Sequence, residues 1–142
     1  MSEEENQTVI RHLNQGINVG VLSVLHELVD PNYVLHTTSG PDIGIEGYRQ
    51  YLETVQGIYP DLKITIDDMI AEDDMVAHRF TWRGTHQGGW GGIRPTGKLV
   101  TVKAFAFSRF ENGKIVEEWT IHDRLSLYQQ LGVVPTIEEL GK

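Results

Sequence analysis

The apolar residues of this chain change their spacing at Tyr59-Pro60-Asp61, and any fold it adopts must bury two different periodicities. Upstream, Val9, Ile10, Leu13, Ile17, Val21, Leu22, Leu25 and Leu28 recur at intervals of three and four, and Tyr48, Tyr51, Leu52 and Val55 do so again. That is the stripe of an amphipathic helix. Downstream, LKITIDDMIAE, MVAHRFTWRGTHQG, KLVTVKAFAFSRF and KIVEEWTIHDRL read as strands, punctuated by the hairpin signals Glu72-Asp73-Asp74 and Glu111-Asn112-Gly113. Gly16 and Gly20 interrupt the first helical stretch, which ends at Asp30-Pro31, and Tyr33 to Thr37 reads as a short strand before the turn-rich SGPDIG.

Helices first and an antiparallel meander afterwards predict an α+β fold, with one sheet face packed on the helices. Long twisted strands curl away from their helices at one end, so an internal pocket is expected. At 142 residues, 39% of them hydrophobic, the chain suits one domain spanning residues 1–142. It has no cysteine, which removes disulfides and thiolate chemistry and leaves stability to the packed core. A formal charge of −8 with dispersed lysines and arginines argues against a nucleic-acid partner. The opening MSEEENQ is unlike a secretory signal and no apolar run approaches a membrane span, so a cytoplasmic protein without a membrane partner is expected.

The strand alternation places Glu117, Trp119, Ile121 and Asp123 on one face and Glu118, Thr120, His122 and Arg124 on the other. The bulk of Trp119 makes the first set the expected inner one. A carboxylate held beside an indole is poorly hydrated, its pKa rises, and it can take and return a proton near neutrality. Asp123 is therefore a candidate acid/base; equally, it is a favoured residue for capping the helix that begins just after it. His78, Phe80, Trp82, Gly84 and His86 share another face, expected to be inner from its aromatics. His86 opens the glycine-rich GTHQGGWGGIRPTGK, which lacks phosphate-loop spacing and reads better as a flap with Trp90 at its apolar tip. Phe105, Phe107 and Arg109 share a third face; if it is inward, Arg109 stabilises an anion or enolate, and if outward it is a surface ion-pair residue. The six histidines show no metal-ligand spacing, although strands can bring His36, His86 and Asp123 together; no metal is expected.

With these residues located, the chain resembles the SnoaL-like polyketide cyclases of the nuclear-transport-factor-like superfamily. The matching elements are YPDLKITIDDMIAEDDMVAHRFTWRGTH, GGIRPTGK, RFENGKIVEEW and a final W-x-x-x-D followed by QQLG, in order over roughly residues 5 to 133. The resemblance implies a cone-shaped curved antiparallel sheet wrapped by N-terminal helices around an apolar pocket, assembled as a homodimer or homotetramer. It implies that Asp123, as acid and base, removes a proton beside a ketone or ester and closes a ring by aldol condensation, with no metal or organic cofactor. Polar pocket residues of the anthracycline-type cyclases fall on Leu35, Phe107 and Arg109 here, which reduces the polar lining. The expectation is thus a cofactor-independent enzyme on a small apolar carbonyl compound, with Asp123, His86 and Arg109 catalytic. His36, Phe80, Trp82, Trp90, Phe105, Phe107 and Trp119 are the expected pocket walls. The alternatives are a non-catalytic small-molecule-binding module of the same fold, and a hydratase or epoxide-hydrolase-like enzyme.

Overall fold

A computed structural model describes residues 2–141. The interrupted helical stretch forms two helices, α1 (Glu3–Asn18) and α2 (Val24–Leu28), and the chain then enters strand β1 (Val29–Thr37). Ser2 and Glu5 close a reciprocal capping box on α1, satisfying amide groups that a helix start otherwise leaves free. Gly16 is required where α1 meets α2, because a Cβ there would lie 2.6 Å from Val24 Cγ1. Helix α3 (Ile45–Ile58) follows, and then β2 (Lys63–Glu72), β3 (Met75–Thr85), β4 (Leu99–Glu111) and β5 (Lys114–His122). Two short helices, α4 (Arg124–Leu131) and α5 (Ile137–Leu140), complete the described residues.

The fold is α+β, with helices wrapping a curved sheet. Its strand order is β1-β5-β4-β3-β2. The downstream strands form the expected antiparallel meander, and Asn112 and Gly113 both take positive φ (51° and 77°), as a type I′ turn demands. The wholly antiparallel sheet does not hold, because β1 pairs in parallel with β5. The chain between them, α3 followed by the β2–β4 meander, is far longer than the dozen or so residues that parallel pairing needs.

Asn18 clamps α1 across the sheet, donating from Nδ2 to the Ile64 carbonyl (2.8 Å) while its Oδ1 accepts from the Ile64 amide (2.7 Å). One core cluster lies beneath α1 and α2 and includes Ile10, Leu13, Leu25, Tyr33 and Ile115. A second comprises Ile58, Tyr59, Leu62, Trp82, Val100, Val102, Leu127 and Leu131. The second cluster surrounds the site described next. Among the described residues no helix is long and apolar enough to cross a membrane.

Candidate functional site

Small residues decide which sheet face looks inward. In β4 Val100, Val102, Ala104, Ala106, Ser108 and Phe110 are buried, whereas Phe105 and Phe107 are 59% and 54% exposed. Register then fixes the neighbours: Ala104 faces Phe80 and His122, Ala106 faces His78 and Thr120, and Ser108 faces Val76 and Glu118. Residues paired across strands share a face, so the inner set of β5 is Glu118, Thr120 and His122. This reverses the expected orientation of both strands. Phe105, Phe107, Arg109 and Trp119 lie on the outer face, and so does His36, which pairs with Trp119 and stacks on its indole at 5.2 Å. The inner assignment of His78, Phe80, Trp82 and Gly84 agrees with the register.

Asp123 follows the last residue of β5 and is exposed. Its Oδ1 accepts from the Ser126 amide at 3.0 Å, which makes it the N-cap of α4. The expected enclosure beside Trp119 is therefore absent: Trp119 lies on the outer sheet face, and Asp123 is turned to the start of α4. His86 is fully buried outside the chamber walls and closes the glycine-rich loop on itself: its Nδ1 accepts from the Thr96 amide at 3.1 Å. His36, His86 and Asp123 do not converge, and no group of three potential metal ligands occurs among the described residues.

The inner face, α3, the start of α4 and Trp90 enclose a chamber of about 190 Å³. Its walls are mostly apolar, among them Leu35, Tyr59, Phe80, Trp82 and Val102, and its polar groups include Thr37, Thr120, His122 and Arg124. Each element has a local reason to be there. Gly84 lets Tyr59 lie against β3, since a Cβ would sit 2.7 Å from that of Tyr59. Trp90 is held at the wall by stacking on Tyr128, with ring centroids 5.8 Å apart. Helix α4 is fastened beside β4 by Gln130, which exchanges two hydrogen bonds with the Thr101 backbone (2.9 and 2.8 Å) much as a strand would.

His122 is the chamber's informative polar group. Trp82 Nε1 lies 3.2 Å from His122 Nδ1, and an indole N–H can only donate. Nδ1 is therefore the unprotonated nitrogen, and Nε2 of the neutral ring carries the hydrogen. Burial, and then the nearby Arg124 charge, push its pKa down to about 4 and keep the ring neutral near pH 7. The arrangement is a fixed N–H donor in an apolar room, able to polarise a carbonyl oxygen.

A smaller cavity of about 70 Å³ shares Tyr48, Ile64, Phe80 and Thr120 with the chamber, and its walls include His78 and Glu118. Glu118 is buried and accepts hydrogen bonds from Tyr33 Oη (2.7 Å) and Ser108 Oγ (2.5 Å). Desolvation raises its pKa against the lowering effect of those two donors. Desolvation also takes His78 down to about 4, and its buried Nδ1 has no partner among the described residues.

Sequence reasoning missed His122, Arg124 and Glu118. A signal existed: Lys103, Arg109 and Glu111 share the phase of Phe105 and Phe107, so charge marked that side of β4 as outer. In β5 the alternating sets hold, but a register shift between Arg109 and Phe110 leaves Ile115 and Val116 both buried, so the start of the strand does not mark which set is inner.

The profile of a family described as SnoaL-like polyketide cyclase matches residues 7–131. No curated protein matches the chain. Among solved structures, AclR from Streptomyces galilaeus, provisionally assigned as a hydroxylase, superposes with a TM-score of 0.89 at 27% identity, covering 99% of this chain and 88% of its own. Wild-type IdmH from Streptomyces antibioticus, provisionally assigned as a polyketide cyclase, gives 0.82 at 34% identity over 90% of this chain and 99% of its own. TsrD from Streptomyces laurentii gives 0.85 at 27% identity, covering 94% and 99% respectively.

Proposed function

Because the chain belongs to the SnoaL-like polyketide cyclase family, we propose that it is a cofactor-independent acid/base enzyme acting on a small, largely apolar carbonyl compound bound against His122. The observation that carries this reading is the tautomer of that ring, which directs an N–H from Nε2 while Trp82 holds Nδ1. A neutral imidazole fits such chemistry, because it donates to a carbonyl oxygen and strengthens the bond as enolate charge develops, without presenting a full cation to the ground state. The room is right for one or two rings, since an apolar cavity of about 150 Å³ takes up benzene.

Proton removal falls to Asp123, the next residue along the chain. Its carboxylate is occupied as a helix cap, an interaction worth about 1 kcal/mol, and must turn inward to meet a bound ketone. The reaction class is enolisation beside a carbonyl, of the kind that leads to aldol ring closure or isomerisation. A non-catalytic binding module is the second reading, favoured by the exposure of Asp123 and by a chamber wall without a carboxylate.

Deuterium exchange into the α-position of small cyclic aryl ketones, followed by NMR, tests the two. Enzymatic exchange lost by at least a hundredfold in both His122→Phe and Asp123→Asn supports the acid/base reading. Ligand binding without any exchange leaves the binding module.

The outer face supports self-association as a homodimer or homotetramer. Phe105 pairs with Ile121 and Phe107 with Trp119 in one exposed apolar band on two adjacent strands. Light scattering of the purified chain, set against Phe107→Glu, distinguishes an assembly from a monomer.

A further inference from the structure

The chamber described above has one charged side chain among its described lining residues, Arg124. No aspartate or glutamate lines the wall with it, and Arg124 takes part in no ion pair among the described residues, in contrast to Arg49, Arg79 and Arg109. The neighbouring Asp123 makes no ion pair with it and turns one carboxylate oxygen to the Ser126 amide. Nor does its place in α4 account for it. A cation in the first turn opposes the helix dipole, and α4 has no acidic residue there to offset it.

We propose that Arg124 is an anion anchor at the wall of the chamber, and that the compound bound there is a one- or two-ring aromatic carboxylate or an equally compact keto acid. The inference deepens the reading of the chamber as the ligand site and rests on it. A carboxylate meets the guanidinium through paired, charge-assisted hydrogen bonds, and the apolar rings then run along Trp82, Phe80 and Val102 toward His122. The protein's net charge of −8 works against anions in general, so discrimination in favour of one reports a local contact.

The test compares 2-naphthoic acid with its methyl ester by quenching of tryptophan fluorescence at pH 7.5 and about 0.15 M salt. The expected result is tighter binding of the acid by about tenfold, abolished in Arg124→Gln and partly retained in Arg124→Lys. Circular dichroism of both variants checks that the fold is unchanged. Equal binding of acid and ester, or an acid preference that survives Arg124→Gln, overturns the anchor and leaves the ligand chamber standing. Failure of both compounds to bind the unsubstituted protein overturns the chamber reading and the anchor together.

Discussion

Glu117 and Glu118 are consecutive in sequence and live in opposite worlds. Glu117 faces outward, where His36 (2.6 Å) and Arg109 (3.1 Å) hydrogen-bond it and hold its pKa below the usual carboxylate range. Glu118 faces inward, and burial raises its pKa although two hydroxyls donate to it. The histidines divide in the same way. His36 lies between Glu117 and Asp42 (3.0 Å from Nδ1), and an imidazole whose two nitrogens both meet carboxylates is an imidazolium, its pKa raised chiefly by the bond to Glu117. His122, across the sheet, is driven the other way by desolvation. On a two-faced sheet a strand's phase sets whether a titratable group is solvated and paired or dry, and so which proton chemistry it can do.

The largest expected effect tests the dry side. His78 and His122 each carry a folded pKa of about 4 against an ordinary 6.5. In the pH range between those values the unfolded chain holds protons that the native protein does not, so stability falls as pH drops from 6.5 to about 4. The loss is on the order of 3 kcal/mol per ring. Urea midpoints across that range should show it, and His78→Phe or His122→Phe should flatten the curve; an unchanged slope in both variants would mean that the rings are not desolvated.

Removing the buried carboxylate comes next. Glu118→Ala strands the hydroxyls of Tyr33 and Ser108 and should cost about 2–4 kcal/mol. Glu118→Gln keeps an acceptor and a donor in place and should stay within about 1 kcal/mol of the parent at pH 7. Equal losses from both would mean that the two acceptor oxygens of the carboxylate, and not the space the side chain fills, hold the hydroxyls in place.

Smaller again is the cap. Asp123→Ala should lower stability by about 1 kcal/mol while Asp123→Asn is close to neutral, since asparagine caps as well as aspartate. Thermal unfolding of the pair measures this separately from any loss of activity.

The smallest effect tests the wet side. His36 contributes most below pH 6.5 and loses its contribution as pH rises through its raised pKa; Glu117 contributes above pH 4.5 and loses its contribution as pH falls through its lowered one. The outer cluster is therefore worth most between those two values. Screening by solvent limits Glu117→Ala to a few tenths of a kcal/mol there, and added salt should erase the difference. A loss as large as that of Glu118→Ala would break the contrast between the faces.

Much of this molecule was legible in its sequence because the relevant forces act over a few residues. Helical spacing located α1 and α3, Gly16 and Gly20 foretold the break before α2, Asn112-Gly113 specified its turn, and alternation found β2 to β5. The resemblance to the SnoaL-like cyclases, read from the order of short elements along the chain, agrees with the family profile that matches residues 7–131. The inner side of β4 and β5 was not settled that way. Bulk suggested Phe105, Phe107 and Trp119, yet the helices and the chamber lie over Ala104, Ala106 and Ser108. Local sequence fixes which residues share a face, because period two is a property of the strand itself. Which face is covered depends on register with neighbouring strands and on what packs above them, and only the assembled structure puts His122 and Arg124 inside while leaving Asp123 at the rim.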